Sequence, residues 1–264
     1  MKLGFIGCGN MAQAMIKGII ANEILKPEEI FASDAYKPSL EMAHTMYGIT
    51  VAENNAEVVQ NTDIIFLAVK PYLYEELAKE IKDMVKPHQI IVTIAPGKTI
   101  AWMAELLGEN TKIVRSMPNT PSMVGEGMTG VCHSSNVTKE EIDEVCRIMR
   151  GFGRVEIVPE YLMDVVVAVS SSSPAYVFMF IEAMADAASA DGMTREQAYQ
   201  FAAQAVYGSA KMILETHKHP GQLKDMVCQP GGTTLEAIRV LESHKLRSSI
   251  FEAMKACVVH AKKM

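Results

Sequence analysis

Three small residues near the start of the chain, Gly7, Gly9 and Ala12, have the spacing G-x-G-x-x-A. They follow four residues of strand character, 3–6, and precede an apolar pattern at helical spacing. In a strand–turn–helix unit the first glycine permits a tight bend, the second admits a pyrophosphate, and the small third residue lets the helix pack on its strand. Free N–H groups at the helix N-terminus would bind that anion. The motif predicts a dinucleotide site; a tight turn in another doubly wound protein is the alternative.

A carboxylate stands where the adenosine ribose of a dinucleotide would lie. Asp34 ends a short predicted strand, 29–34, and lies 22 residues beyond Ala12. An acid at this distance accepts hydrogen bonds from both ribose hydroxyls and repels a 2′-phosphate, which favours NAD over NADP. Lys37 would offset part of that repulsion. The alternative role of Asp34 is to cap the next predicted helix, 38–47.

The elements that must position these residues alternate between strand and helix. Apolar runs predict strands at 63–70, 89–95 and 112–116, separated by helical patterns at 72–85 and 99–107. This alternation indicates a parallel sheet covered by helices on both faces. Ligands of such sheets bind beyond the carboxyl ends of the strands.

Three residues fall at those predicted strand ends: Lys70, Ala95 and Asn119. Pro118 and Pro121 stiffen the loop around Asn119, which helps to hold a polar side chain in one place. We therefore expect this edge of the sheet to form the ligand site. A plain proline-rich turn with an asparagine cap is the alternative for the loop.

The pattern changes to long helices near Pro159. Helical periods then run at 175–190, 194–218, 233–243 and 246–262, and residues 165–169 are ambiguous between strand and helix. The sequence predicts an α/β fold in which a doubly wound sheet, residues 1–158, precedes an all-helical domain, residues 159–264.

A second candidate anion site lies within the helical part, at Gly231-Gly232-Thr233-Thr234. The glycines free the backbone just before a predicted helix, and the threonines add hydroxyl groups. Such a helix N-terminus suits a carboxylate. The alternative is a glycine hinge with threonine capping.

Composition narrows the partners and the compartment. A net charge of −6 without charged blocks argues against nucleic acid or an anionic membrane surface as a partner. Five scattered cysteines indicate free thiols in a reducing cytoplasm, and the N-terminal strand leaves no room for a signal peptide. The uncharged stretch 165–181 contains serines and a proline, so we expect a helix broken by a polar turn and no membrane span. His217 and His219 have no partner spaced to hold a metal, and we expect both to cap a helix C-terminus.

Taken together, these motifs resemble those of the pyrroline-5-carboxylate reductases over nearly the whole chain. The matching segments are GFIGCGNMAQAM at 4–15, FLAVKP at 66–71, MPNTP at 117–121, SPAYVF at 173–178 and HPGQLKDMVCQPGGTTLEAIRVLE at 219–242. The resemblance implies an N-terminal Rossmann domain and a C-terminal helical domain that forms an intertwined homodimer, which in this family often assembles into a decamer. It also implies hydride transfer from NADH or NADPH to the C=N bond of a small cyclic imino acid, 1-pyrroline-5-carboxylate, giving L-proline.

The resemblance further implies the residues of the two sites. The expected substrate-binding residues are Gly231, Gly232, Thr233 and Thr234, in the loop that holds the carboxylate of the imine, and Met179, which stands where some members have a threonine hydrogen-bonded to the substrate nitrogen. The expected cofactor-binding residues are Ile6, Gly7, Cys8, Gly9, Asn10, Met11, Ala12, Ser33, Asp34, Asn55, Ala68, Val69, Lys70, Pro71, Ala95 and Asn119. No acid–base residue is expected, because an imine that arrives as an iminium needs no protein acid before hydride attack.

The chain departs from the family pattern in several places. Ser170-Ser171-Ser172-Ser173 replaces Ser-Gly-Ser-Gly, Cys228-Gln229 replaces Thr-Ser, and Met179 stands where some members have threonine. Ser33-Asp34-Ala35 replaces Ser-Asn-Arg, so the arginine for a 2′-phosphate is missing and we expect NADH to be preferred. Two rivals remain open: a β-hydroxyacid dehydrogenase or imine reductase on the same plan, with Lys211 as the candidate lysine, and a nucleotide-binding regulator without turnover.

Overall fold

The computed structural model of the chain describes residues 1–263. Its contacts divide the chain into two compact units. One unit holds Met1–Ser172 and the segment from Cys257 onward, and the other holds Ser173–Ala256. The predicted domain boundary after residue 158 stays a prediction.

The first unit is built on an eight-stranded sheet. Its strands are β1 (Leu3–Ile6), β2 (Ile30–Ser33), β3 (Thr50–Val51), β4 (Ile64–Leu67), β5 (Ile90–Thr93), β6 (Lys112–Met117), β7 (Gly127–His133) and β8 (Gly153–Ile157). They lie in the order β3-β2-β1-β4-β5-β6-β7-β8, and neighbours are parallel except β6 and β7. The strand order reverses between β1 and β4, so a ligand crevice is expected beyond the carboxyl ends of these two strands.

Helices cover both faces of this sheet. They are α1 (Asn10–Ala21), α2 (Lys37–Tyr47), α3 (Asn55–Asn61), α4 (Tyr74–Ile81), α5 (Ile100–Leu107), α6 (Lys139–Met149) and the short α7 (Met163–Val166). Phe5 of β1 packs in one apolar cluster with α1 and α6, whereas the next residue, Ile6, packs in a second cluster with α4 and α5. Successive strand side chains point to opposite faces, so both faces are buried. The predicted doubly wound fold is confirmed.

Local signals set the helix boundaries. Thr138 and Glu141 form a capping box at the start of α6, because each side chain accepts a hydrogen bond from the backbone N–H of the other. The alternative role of Asp34 as a helix cap is wrong, since α2 begins at Lys37 and its N-cap residue is Tyr36.

The second unit is helical, as predicted. It contains α8 (Ser173–Ala190), α9 (Arg195–Thr216), α10 (Pro220–Val227), α11 (Thr233–Ser243) and most of α12 (Leu246–Ala261). His217 occupies the C-cap position of α9, in agreement with its predicted place. The same prediction is wrong for His219, which caps the N-terminus of α10 by accepting a hydrogen bond from the Gly221 N–H.

The ambiguous residues 165–169 are helical. α7 continues into a π-helical turn, Val167–Ser171, and α8 follows. By length and composition alone the helical stretch Glu160–Ala190 could cross a membrane, and 11% of its most apolar window is buried. A helix with a large exposed apolar face is also what a subunit interface requires.

Candidate functional site

The turn after β1 depends on glycine at position 7. Gly7 has a φ of 96°, and a Cβ atom there would lie 2.7 Å from the backbone carbon of Ala68, at the end of β4. Its N–H donates to the Ser33 carbonyl at the end of β2. Gly7 is therefore held between the carboxyl ends of the two strands that flank β1, and a side chain fits neither the backbone angle nor the space.

Gly9 plays a different part in the same turn. It is the N-cap residue of α1, its backbone is extended with φ −75°, and the place of a Cβ atom faces open space. Within residues 1–263, no side chain caps this helix, so the N–H groups of its first turn are available to an anion. Ala12, in the first turn of α1, is buried, as its proposed packing role requires.

The carboxylate of Asp34 is tied to the glycine turn. One oxygen, Oδ2, accepts a hydrogen bond of 2.6 Å from the Cys8 N–H, and Oδ1 accepts one of 2.8 Å from the Tyr36 N–H. Burial of the Cys8 thiol, and secondarily the charge of Asp34, raises the pKa of Cys8 to about 11. Cys8 is thus a neutral, buried thiol, and Asp34 is a half-buried acid at the rim of the turn.

A hydrogen-bonded chain fixes the side chain of Asn55. The Ser33 hydroxyl donates to Asn55 Oδ1 at 2.7 Å, and Asn55 Nδ2 donates to Glu80 Oε2 at 2.8 Å. This arrangement brings a second carboxylate, that of Glu80 on α4, to the same edge of the sheet as Asp34. This edge of the sheet therefore carries two carboxylates, Asp34 and Glu80, near Asn55.

The glycine turn, Asp34, Asn55 and Glu80 border a cleft of about 970 Å³ at the carboxyl ends of the strands. Predicted residues that line it are Ile6, Gly7, Gly9, Asn10, Met11, Asp34, Asn55, Ala68, Val69, Lys70, Pro71 and Ala95. The cleft also includes residues that sequence reasoning did not assign: Ala35, Tyr36, Ser39, Leu73, Glu76, Leu77, Glu80, Ile94, Pro96, Pro118, Thr120 and Met123. The four-residue spacing of Glu76 and Glu80 on a helix that follows β4 was the available signal for that pair.

Four predicted residues lie behind the lining of the cleft: Cys8, Ala12, Ser33 and Asn119. Asn119 is 8% exposed, and both polar atoms of its side chain are engaged inside the protein. Oδ1 accepts from the Met128 N–H at 2.8 Å, and Nδ2 donates to the Ser170 carbonyl at 3.1 Å. The residues on either side of it in the chain, Pro118 and Thr120, line the cleft and form this part of its wall.

The second candidate anion site belongs to the helical unit. Gly231 has a φ of 72°, Gly232 is the N-cap residue of α11, and the helix begins at Thr233. Gly232 donates to the Gln229 carbonyl at 3.0 Å, which closes a tight turn before the helix. The alternative of threonine capping is wrong, because the cap position is a glycine. Met179 on α8 is 69% exposed.

In the part of the chain that the structure describes, no cluster of three or more His, Cys, Asp or Glu side chains could hold a metal ion. The features that the structure does show are a glycine turn, a helix N-terminus and an acid at the switch point of a doubly wound sheet. They define a dinucleotide-binding protein of the Rossmann class, with a helical region appended.

Comparisons with known proteins identify the member of that class. Residues 160–264 match the family model for pyrroline-5-carboxylate reductase dimerisation, and residues 2–97 match that of the F420-dependent NADP oxidoreductases. The Escherichia coli pyrroline-5-carboxylate reductase is 50% identical over 263 residues, covering 100% of this chain and 98% of its own. The chain belongs to the pyrroline-5-carboxylate reductase family.

Solved structures agree with this placement. A pyrroline-5-carboxylate reductase from Coxiella burnetii superimposes with a TM-score of 0.94 at 37% identity, covering 99% of this chain and 97% of its own. A Plasmodium falciparum pyrroline carboxylate reductase with NADP bound gives a TM-score of 0.90 at 32% identity, with 100% and 97% covered. Family membership decides against the β-hydroxyacid dehydrogenase rival.

Proposed function

We propose that this chain reduces the C=N bond of 1-pyrroline-5-carboxylate with hydride from a nicotinamide cofactor and releases L-proline, the last step of proline biosynthesis. The observation that carries the proposal is the match to reductases of this name along the whole chain, glycine turn and helical region included. The match must include the helical region as well as the glycine turn to support this function, because the cleft alone is common to many dinucleotide-dependent enzymes.

The residues of the cleft fit a dinucleotide. Open space at Gly9 and the uncapped first turn of α1 would accept the pyrophosphate, and Asn55 and Asp34 would bind the adenosine half. The bound cofactor supplies the hydride, and the protein supplies its position. Ala95 and Thr120 line the same cleft further along the sheet, where they would shape the end that holds the nicotinamide.

The start of α11 would fix the substrate. Thr233 and Thr234, in the first turn of the helix, would present backbone N–H groups and two hydroxyls to a carboxylate. A cyclic imine that arrives protonated carries its own positive charge, so no residue needs to act as an acid before hydride attack. Orientation of the two reactants then supplies the rate enhancement, and such orientation is worth on the order of 7–11 kcal/mol in well-aligned systems.

NADH is the cofactor that we propose this chain prefers. Asp34 would face the ribose, Glu76 and Glu80 line the same cleft, and Ala35 follows Asp34 where an arginine for a 2′-phosphate would stand. A 2′-phosphate carries negative charge, which these carboxylates repel. Lys37 is exposed, and its ammonium contacts the Glu53 carbonyl oxygen at 3.4 Å, so its positive charge offsets the repulsion only in part.

The helical unit has the surface of a subunit interface. Phe178, Met179, Phe180 and Phe201 are exposed in the single chain, and residues 160–264 match a dimerisation family. We propose that a second copy of this chain covers that surface in a cytoplasmic homodimer without a membrane span, and that dimers assemble into a decamer. Sedimentation of the 29.0 kDa chain without detergent tests this: a monomer, or a requirement for detergent, contradicts it.

A direct assay tests the proposed reaction. The purified chain, mixed with 1-pyrroline-5-carboxylate and NADH or NADPH, should consume the reduced cofactor and form proline in equal amounts. The same chain with a 3-hydroxy acid and NAD should give no reduced cofactor. Absence of turnover with the imine, under conditions where the chain is folded, would remove the proposal.

A further inference from the structure

A π-helical turn, Val167–Ser171, interrupts the helix between α7 and α8. Such turns are rare and occur frequently at functional sites, because they change the direction in which backbone and side-chain groups point. Here the turn includes the first two residues of the serine run, and Ser170 is 7% exposed. The turn lies wholly within the first compact unit, which also holds the cleft.

Three hydrogen bonds join this turn to the segment 118–128, which contributes to the cleft lining, and a fourth lies within that segment. Ser170 Oγ donates to the Met128 carbonyl at 3.2 Å, and Ser171 Oγ donates to the Pro118 carbonyl at 3.3 Å. Asn119 Nδ2 donates to the Ser170 carbonyl, and Asn119 Oδ1 accepts from the Met128 N–H. These five residues, Pro118, Asn119, Met128, Ser170 and Ser171, are called the serine clasp below.

The serine clasp lies directly behind the cleft. Pro118 is a member of both, and Thr120, two residues along, lines the cleft at the carboxyl end of β6. The side chain of Asn119 is buried outside the cleft lining, and both of its polar atoms bond to members of the clasp, so it holds the loop in place. Two prolines limit the backbone of this loop, and the hydroxyls of the turn fix where it lies.

We propose that Asn119, Ser170 and Ser171 are positioning residues for hydride transfer, which act by holding the wall at Pro118 and Thr120 at one distance from the bound cofactor. The inference rests on the proposed function. Reacting atoms must approach to about 3–3.5 Å, so a wall displaced by about 1 Å lowers the rate of the chemical step far more than it weakens binding. The clasp should therefore control kcat rather than KM.

The test compares two substitutions in the same serine run. The double variant Ser170→Ala with Ser171→Ala removes both hydroxyl donors to the segment 118–128 and keeps the helix-forming backbone. We expect kcat with the imine to fall about tenfold and the deuterium isotope effect from labelled NADH to rise, while KM for the imine stays within about twofold. Ser171→Thr, which retains the hydroxyl, should keep most of the activity.

Ser172→Ala is the matched control. The Ser172 hydroxyl accepts from Cys257 Sγ at 3.3 Å and contacts neither the loop nor the cleft, so kcat should stay at the wild-type value. Equal kcat values for the double variant and this control would overturn the inference. Should the double variant fail to fold, Ser171→Ala alone, which loses a single bond, decides the question by the same criteria.

Hydrogen exchange of the cofactor-free protein provides a second, independent readout. Amides of residues 117–128 should exchange at least about threefold faster in the double variant than in Ser172→Ala, because the two serine hydroxyls no longer bond to this segment. Unchanged exchange overturns the clasp whatever the activity. A wild-type chain that fails to reduce the imine removes the proposed function, whereas the exchange result still decides whether the clasp holds the loop.

Discussion

The Asp34 carboxylate accepts a hydrogen bond of 2.6 Å from the backbone N–H of Cys8, the residue between the two glycines of the first turn. The acid that would choose between ribose and 2′-phosphoribose is therefore fixed to the turn that would bind the pyrophosphate. Two parts of one dinucleotide would thus be recognised by groups that hold each other in place. Such preorganisation lowers the cost of ordering the site when the ligand binds.

Asp34→Asn should shift the cofactor preference towards NADPH. Asparagine keeps one acceptor oxygen for the Cys8 N–H, loses the acceptor for the Tyr36 N–H, and removes the negative charge at position 34. We expect the ratio of kcat/KM for NADPH to that for NADH to rise about tenfold, because that factor corresponds to about 1.4 kcal/mol of relieved repulsion. Steady-state kinetics with both cofactors provide the measurement.

The control for this charge change is Glu41→Gln. Glu41 is exposed on α2, so the substitution alters the net charge equally without touching the cleft lining. Its cofactor ratio should match the wild type. A ratio that rises equally in both variants, or in neither, would show that Asp34 does not govern the choice.

Substitution by alanine should have different effects at the two glycines of the turn: it should weaken cofactor binding at Gly9 and lower stability at Gly7. Gly9→Ala places a methyl group in open space of the cleft, so the free energy of unfolding should change by less than about 0.5 kcal/mol while NADH binding weakens at least about tenfold. Gly7→Ala meets the Ala68 backbone at a positive φ, so it should cost on the order of 2 kcal/mol in stability.

Chemical denaturation and NADH titration of both variants separate these effects. Because the two substitutions are identical in chemistry and two residues apart, each is the control for the other. Tight NADH binding by Gly9→Ala would contradict the assignment of the pyrophosphate to this turn, and a stable Gly7→Ala would contradict the backbone constraint.

The parts of the site that are local in sequence were predictable. β1, its glycine turn and α1 are contiguous, so strand character, glycine spacing and helical period report on one another. The capping box at Thr138 is local in the same sense. Fully buried strands such as β4 were also predictable, because burial on both faces leaves a continuous apolar run.

What the sequence could not supply depends on short or distant relationships. β3 has two residues, α3 has seven and α10 has eight, so these elements are too short for a periodic pattern to identify them. The role of Asn119 comes from a bond to Ser170, 51 residues away. No local signal distinguishes a polar side chain that faces a ligand from one that holds a loop.

Thr233→Val should weaken substrate binding. Valine keeps the shape of threonine but removes a hydroxyl from the N-terminus of α11, where we propose that the carboxylate binds. A hydrogen bond to a charged group is worth about 1.5–3 kcal/mol, so KM for the imine should rise at least about tenfold with little change in the KM for NADH. Initial-rate kinetics with both reactants varied measure the two constants.

A second threonine of the helical unit provides the control. The Thr216 hydroxyl donates to the Met212 carbonyl within α9, so Thr216→Val removes a hydroxyl without affecting the start of α11. Its KM for the imine should equal that of the wild type. An unchanged KM in Thr233→Val would count against the proposed place of the substrate.

Stability should fall as the pH rises above about 9, because buried acids keep their protons in the folded protein. Burial raises the pKa of Tyr74 to about 12 and that of Cys132 to about 12. The unfolded chain releases these protons first, near pH 9 for a thiol and pH 10 for a phenol, so it binds fewer protons than the folded chain above those values. The stabilisation is complete below pH 9 and is lost progressively up to about pH 12.

Tyr74→Phe isolates one of these groups. The Tyr74 hydroxyl donates to the Leu67 carbonyl at 2.6 Å and accepts from the Thr93 hydroxyl at 3.1 Å, so its loss should cost about 1 kcal/mol at pH 8. Between pH 10 and 12 the variant should lose less stability than the wild type, because it has no buried phenol at position 74 that can titrate. Urea unfolding across this range gives the slopes, and Tyr72→Phe, at a tyrosine that is 80% exposed, is the control. Equal slopes for Tyr74→Phe and Tyr72→Phe would show that the buried phenol does not contribute to the alkaline loss of stability.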